Sequence, residues 1–153
     1  MLNIIPKGQA SAEDITALEQ KLGYPFPEDY RNFLQENNGG VVKDYQSFFV
    51  KGLSQEVLMH VFFGVNQPTR SQNLQFWANE YGDELQETAF IFGREPGGAL
   101  LTYITSGDDK GVYLWDHAHF FAQSTEEDGN TYFVAESFAD FCAKIEPFVE
   151  ADK

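Results

Sequence analysis

The chain has 153 residues, 42% of them apolar and 16% aromatic (15 Phe, 7 Tyr and 2 Trp), and a formal net charge of -14. Length and aromatic content predict one folded domain over 1–153 with its own hydrophobic core, and they exclude a disordered chain. The charge excludes direct binding to nucleic-acid backbones and to anionic membrane surfaces.

Residues 12–42 carry the densest signal. Ser11 and Asp14 form a capping pair. Ile15, Leu18 and Leu22 then recur at helical spacing, and Gly23 is the residue type that ends a helix in a left-handed conformation. Pro25 and Pro27 stiffen the connection, with Pro27 at the first position of a second helix. Glu28 and Asp29 place negative charge at the positive end of that helix, and Tyr30, Phe33 and Leu34 form its apolar face. Asn38, Gly39 and Gly40 stop it and let the chain enter a strand. The product is an αα-hairpin.

Strands are predicted at 47–50 and 57–65 from β-branched and aromatic content, with Gly64 marking a bulge or a strand end. A third helix is predicted over 71–86, with Leu74, Ala78, Tyr81 and Leu85 on one face and Gly82 weakening it. A strand at 89–93 leads into a Glu95-Pro96-Gly97-Gly98 turn; strands at 100–105 and 112–116 pair across a loop flanked by Gly107 and Gly111. Segments 119–123 and 131–134 are read as another pair. Ser137 caps a final helix that Pro147 closes. Hairpin-linked strands with helices grouped near the ends predict an α+β fold: a mainly antiparallel sheet flanked by an N-terminal αα-hairpin and a C-terminal helix.

This pattern resembles the SUKH superfamily, the Smi–Knr-type domains. The residues that carry the resemblance are Leu18 and Glu19, Leu22 and Gly23, Pro27, Asp29 and Tyr30, Phe33 and Leu34, then Asn38, Gly39 and Gly40. Phe26 stands where the family usually has Leu. Towards the C-terminus, Gly111-Val112-Tyr113, Asp116-His117 and the run 135–141 are similar to the family's Gly-x-Val-Tyr strand, its polar pair and its last helix. The resemblance implies the same α+β architecture and a structural role for these motif residues. It also implies an immunity protein that binds and neutralises a bacterial toxin, in some systems a nuclease. The alternative it implies is a non-catalytic regulatory or adaptor domain; relatives of that kind carry long disordered extensions, which this sequence lacks.

Candidate chemistry outside those motifs is sparse. Asp116, His117 and His119 are the one cluster suited to a metal, with His60 as the remaining histidine, and a small metal-binding protein is the third alternative. The glycines at 93–98 are not followed by the Lys-Ser or Lys-Thr of a phosphate loop, and no Ser, Thr or Cys sits in a nucleophile motif. The paired carboxylates lie in polar, glycine-flanked segments where nothing raises a carboxyl pKa for acid–base work. No enzyme activity and no cofactor are therefore expected. The single cysteine, Cys142, shares an apolar helix face with Phe138, Phe141 and Ile145 and reads as an inert buried thiol. Residues 1–10 lack an export signal, and no stretch approaches the ~18 apolar residues of a membrane span, so a cytoplasmic location is expected.

The charge is unevenly spread. Residues 1–70 hold 8 acids and 6 bases, whereas residues 71–153 hold 16 acids and 4 bases. The surplus serves solubility or forms a docking face for a protein partner with a basic surface, such as a toxin. The residues expected to form that face are Asp83, Glu84, Glu87, Asp108, Asp109, Glu126, Glu127 and Asp128, with Trp77 or Trp115, where exposed, as an aromatic hot spot.

Overall fold

A computed structural model describes residues 2–85, 87–116 and 130–148. Helix α1 (Ala12–Leu22) starts at Ser11, whose hydroxyl accepts from the Asp14 amide at 3.0 Å. It ends at Gly23, whose φ of 92° lets its N–H donate to Glu19 O. Helix α2 (Glu28–Asn37) begins one residue later than the sequence suggests, because Pro27 occupies the N-cap itself. Proline has no side-chain acceptor to offer there, and the Asp29 carboxylate accepts from the Tyr30 amide instead.

Glu19 latches the two helices. Its carboxylate accepts from the Phe26 amide in the connection at 2.6 Å and pairs with Arg31 on α2. The same guanidinium donates to Thr16 Oγ1 and Ala12 O on α1. One planar, multi-donor cation thus spans the hairpin, a task its fork geometry suits.

The described strands form two antiparallel sheets. The larger has the order β1 (Ile4–Pro6), β2 (Gly40–Val42), β5 (Val61–Phe62), β6 (Ala89–Arg94), β7 (Leu100–Ile104), β8 (Gly111–Trp115) and β9 (Thr131–Ala135). The smaller places β3 (Gln46–Val50) between β4 (Gln55–Leu58) and β10 (Glu146–Pro147). With α3 (Leu74–Tyr81) and α4 (Phe138–Lys144) the class is α+β, as the sequence predicts.

Three local expectations need correction. The strand predicted at 57–65 is two strands in different sheets, because the chain crosses between them at Met59 and His60, where Met59 N–H donates to Gln46 O and His60 N–H to Arg94 O. The helix predicted over 71–86 is reduced to α3. Its N-cap, Asn73, turns its side-chain oxygen outward to the Gln67 amide at 2.6 Å, and the helix gives way to a 3-10 turn at Gly82–Glu84. Helix α4 ends at Lys144, so Pro147 does not close it but pairs with Gln46 in the small sheet. Segment 131–134 pairs with β8 as β9, while its predicted partner 119–123 lies outside the described residues.

The core lies on one face of the large sheet. Tyr30 and Phe33 from α2 and Phe138 and Phe141 from α4 meet Phe62, Phe90 and Phe92. The Phe90–Tyr30 ring centroids lie 4.7 Å apart, and Phe138 meets Phe33 at 5.0 Å and Phe92 at 5.2 Å, edge-on. Such pairs each contribute about 0.5–1.5 kcal/mol beyond burial. The strand alternation that turns Phe62 inward turns Phe63 to the opposite face, where it stacks on Trp77 at 5.0 Å. Trp77 stacks in turn on Tyr81, and Tyr81 meets Trp115 edge-on at 5.4 Å.

Candidate functional site

Register brings the residues just before β6 and the β7–β8 loop to one end of the large sheet. Ala89 opens β6 opposite Ile104, the last residue of β7, and Ile104 faces Gly111, the first residue of β8. The segment before β6 and the β7–β8 loop are therefore neighbours. Thr105 N–H and its hydroxyl both donate to Thr88 O, and the Thr88 and Ser106 hydroxyls bond at 2.7 Å. This polar seam sets the segment carrying Glu87 beside the loop that carries Asp108 and Asp109. Those three carboxylates are exposed, as are Asp83 and Glu84 farther back along the chain, just after the Tyr81 that meets Trp115.

Three further acidic positions close the same end. Val112 pairs with Ala135, so β9 delivers Glu136 there and Ser137 begins α4, with Asp140 in its first turn. Asp29 lies below. Its carboxylate accepts from the Ala139 amide at 2.9 Å and from Tyr103 Oη at 3.4 Å. It thus caps α4 from a different helix, a favourable place for a carboxylate. Burial and the Asp29 charge push the Tyr103 phenol up to about 12. Lys21 and Lys110 are the bases set among these segments. The sequence reading omitted Glu136, although its place immediately after a strand and before a helix cap was a usable signal.

Glu126, Glu127 and Asp128 lie outside the described residues. The flanking strands β8 and β9 meet at the opposite end of the sheet, where Trp115 pairs with Thr131 and Asp116 N–H donates to Asn130 O. Trp77 and Trp115 are half-buried in the α3 stack rather than presented at the acidic end, and the Trp77 indole donates to Ser71 O at 2.9 Å. Asp116 is fully buried, and His117 and His119 lie outside the described residues. Among the described residues no three His, Cys, Asp or Glu side chains come together as a metal cluster.

A cleft of about 580 Å³ runs beside the acidic end, between the C-terminus of α1 and the end of α3. Lys21, Tyr24, Asn79, Leu85 and Glu87 line it, and Tyr24 Oη donates across it to Ala89 O at 3.0 Å.

The Asn38-Gly39-Gly40 turn has visible architectural work. The Asn38 side chain donates to Val65 O at 2.9 Å and accepts from the Val65 amide at 2.8 Å, both buried. A Cβ at Gly39 would lie 2.6 Å from Phe62 O, and one at Gly40 would lie 2.5 Å from Ile5 O. The backbones pass too closely for any larger residue. Leu18, Tyr30, Phe33 and Leu34 are core, and Gly23 and Pro27 are caps.

No helix among the described residues is long and apolar enough to cross a membrane. Burial, with a further contribution from Asp29, pushes the Cys142 thiol up to about 12. No curated protein is found as a relative of the chain. The sequence model of the SMI1 / KNR4 family (SUKH-1) matches residues 9–144, from just before the first helix to the end of the last. With that extent of match, the chain belongs to the SMI1 / KNR4 (SUKH-1) family.

Proposed function

We propose that this chain is an immunity protein: it binds a basic protein toxin, a nuclease in the simplest case, and blocks it by covering its cationic surface. The reading is supported by the Thr88–Ser106 seam, which joins the segment carrying the exposed Glu87 to the loop carrying the exposed Asp108 and Asp109. A nuclease cleft must be positively charged to hold its substrate. A rigid negative surface competes for the same charges and is steered onto them before contact.

The mode of action is occlusion without bond-making, in a protein that works in the cytoplasm beside its target. The side chains at the acidic end serve as charges and caps, and the motif residues are spent on folding.

The test is co-expression and capture. The toxin-like product of the adjacent gene should co-purify with the chain and lose its toxicity in cells that contain it. Substituting Asp83→Lys and Glu84→Lys together should abolish protection while leaving the circular dichroism spectrum unchanged. Full protection by that double variant would remove the acidic end from the mechanism.

A further inference from the structure

The acidic end carries one exposed aromatic ring. Phe133 on β9 is 48% exposed. It faces Tyr113 on β8, and the two rings meet edge-on with centroids 5.5 Å apart. The Phe133 ring lies over Gly111, where a Cβ would sit 3.0 Å from Phe133 Cε1. Glycine at the start of β8 thus makes room for the ring against the backbone. Tyr113 Oη donates to Asp109 O at 2.7 Å and ties the ring pair to the acidic loop. Burial and then the Asp109 charge push the Tyr113 phenol up, so the carboxylate is near enough to act on the pair.

An apolar ring half in water, paired with a tyrosine that is tied to the Asp108-Asp109 loop, with Lys110 as the opposing charge on that loop, marks β9 as the outermost strand among the described residues with a ring to spare. The environment does suit one kind of side chain. A guanidinium stacks flat on an aromatic face while its edge donates to carboxylates, which an ammonium does less well. A second copy of this chain would instead bring its own surplus of -14 against these charges. The exposed Tyr45, Phe49 and Phe148, on or beside the small sheet, select no partner in this way, because Lys43 and Lys51 accompany Asp44 and Glu56 in the same segments.

We infer that the Phe133–Tyr113 pair, flanked by Asp108 and Asp109, is the docking point for an arginine side chain of the basic partner. This rests on the reading of the chain as a binder of a basic protein, and it replaces the tryptophans as the aromatic anchor of that contact. Phe133 supplies the stacking face, Tyr113 and Gly111 hold it in place, and the two aspartates neutralise the guanidinium.

The experiment uses hexa-arginine and hexa-lysine peptides as probes, with affinities read by calorimetry and contacts by the ring-proton shifts of Phe133 and Tyr113. Wild-type protein should prefer hexa-arginine. Phe133→Ala and Phe133→Leu should each lower hexa-arginine affinity about three- to fivefold, leave hexa-lysine affinity nearly unchanged, and keep the wild-type circular dichroism spectrum. Phe133→Trp should restore the preference. Equal affinity of the Phe133 variants and wild type for hexa-arginine would overturn the anchor, as would absence of ring-proton shifts. If Asp108→Asn with Asp109→Asn weakened both peptides in that case, acidic binding would stand without the anchor. Toxin capture by the wild-type protein judges the immunity reading separately.

Discussion

Single residues in this chain divide by whether they are fixed by close contact or free to vary, and two glycines show the contrast. A Cβ at Gly64 would lie 2.2 Å from Asn38 O, within the turn where Asn38 clamps Val65. Gly64→Ala should therefore cost about 3 kcal/mol, since backbone cannot yield as a side chain can. Gly82 has open space around it and right-handed helical angles of -55° and -35°. Gly82→Ala should instead stabilise the protein by about 0.5–1 kcal/mol by restricting the unfolded chain. Denaturant melts of the two variants check both signs. His60 offers a pH test at the same scale. Its Nδ1 is buried without a hydrogen-bond partner among the described residues, and burial together with Arg94 lowers its pKa from the ordinary 6.5. The unfolded chain thus binds this proton more readily than the folded one, so His60 supports stability fully above pH ~6.5 and progressively less as pH falls towards the lowered value. The difference in stability between wild type and His60→Gln should shift across that window, with the variant losing less on acidification. A constant difference from pH 8 to pH 5 would contradict the assignment.

Elements were legible where the signal is local. The capping serine, the glycine C-cap and the apolar stripe of α1 lie within a dozen residues, and the structure contains each of them. The same holds for Ser137, whose hydroxyl accepts from Asp140 N–H at 3.1 Å. Misread elements depend on distant partners. Strand β1 has three residues and exists because Gly40–Val42 pairs with it, and β10 exists because β3 is there to receive it. The crossing at Met59 and His60 could not be seen in a run of apolar residues that reads as one strand. Asp29 is the clearest case of a familiar motif residue with a hidden target: it sits 110 positions from the amide it caps. Removing it as Asp29→Ala should uncap α4 and cost about 1–2 kcal/mol. Hydrogen exchange should localise the loss, with faster exchange at the start of α4 and little change in α1. Uniform acceleration across both helices would mean that the carboxylate supports the fold in some other way.

At the scale of the whole molecule, the sequence revealed the charge surplus but not its arrangement. The skew towards residues 71–153 was countable, whereas the meeting of residues 87–88 with the loop that carries Asp108 and Asp109 follows from the register of β6, β7 and β8, which composition does not encode. Nor does composition say which aromatic ring stands exposed: both tryptophans are half-buried in the α3 stack, whereas Phe133 is 48% exposed. What remains is a fold whose motif residues hold two helices and a turn in place and whose sheet gathers carboxylates at one end. Rapid-mixing measurement of association with the adjacent gene's toxin, across a range of ionic strength, tests that picture most directly. Electrostatic docking at this end requires the association rate to fall about tenfold or more between ~0.05 M and ~0.5 M salt, and the Asp83→Lys/Glu84→Lys variant to associate slowly at every concentration. A rate indifferent to salt, or a variant as fast as wild type, would contradict it.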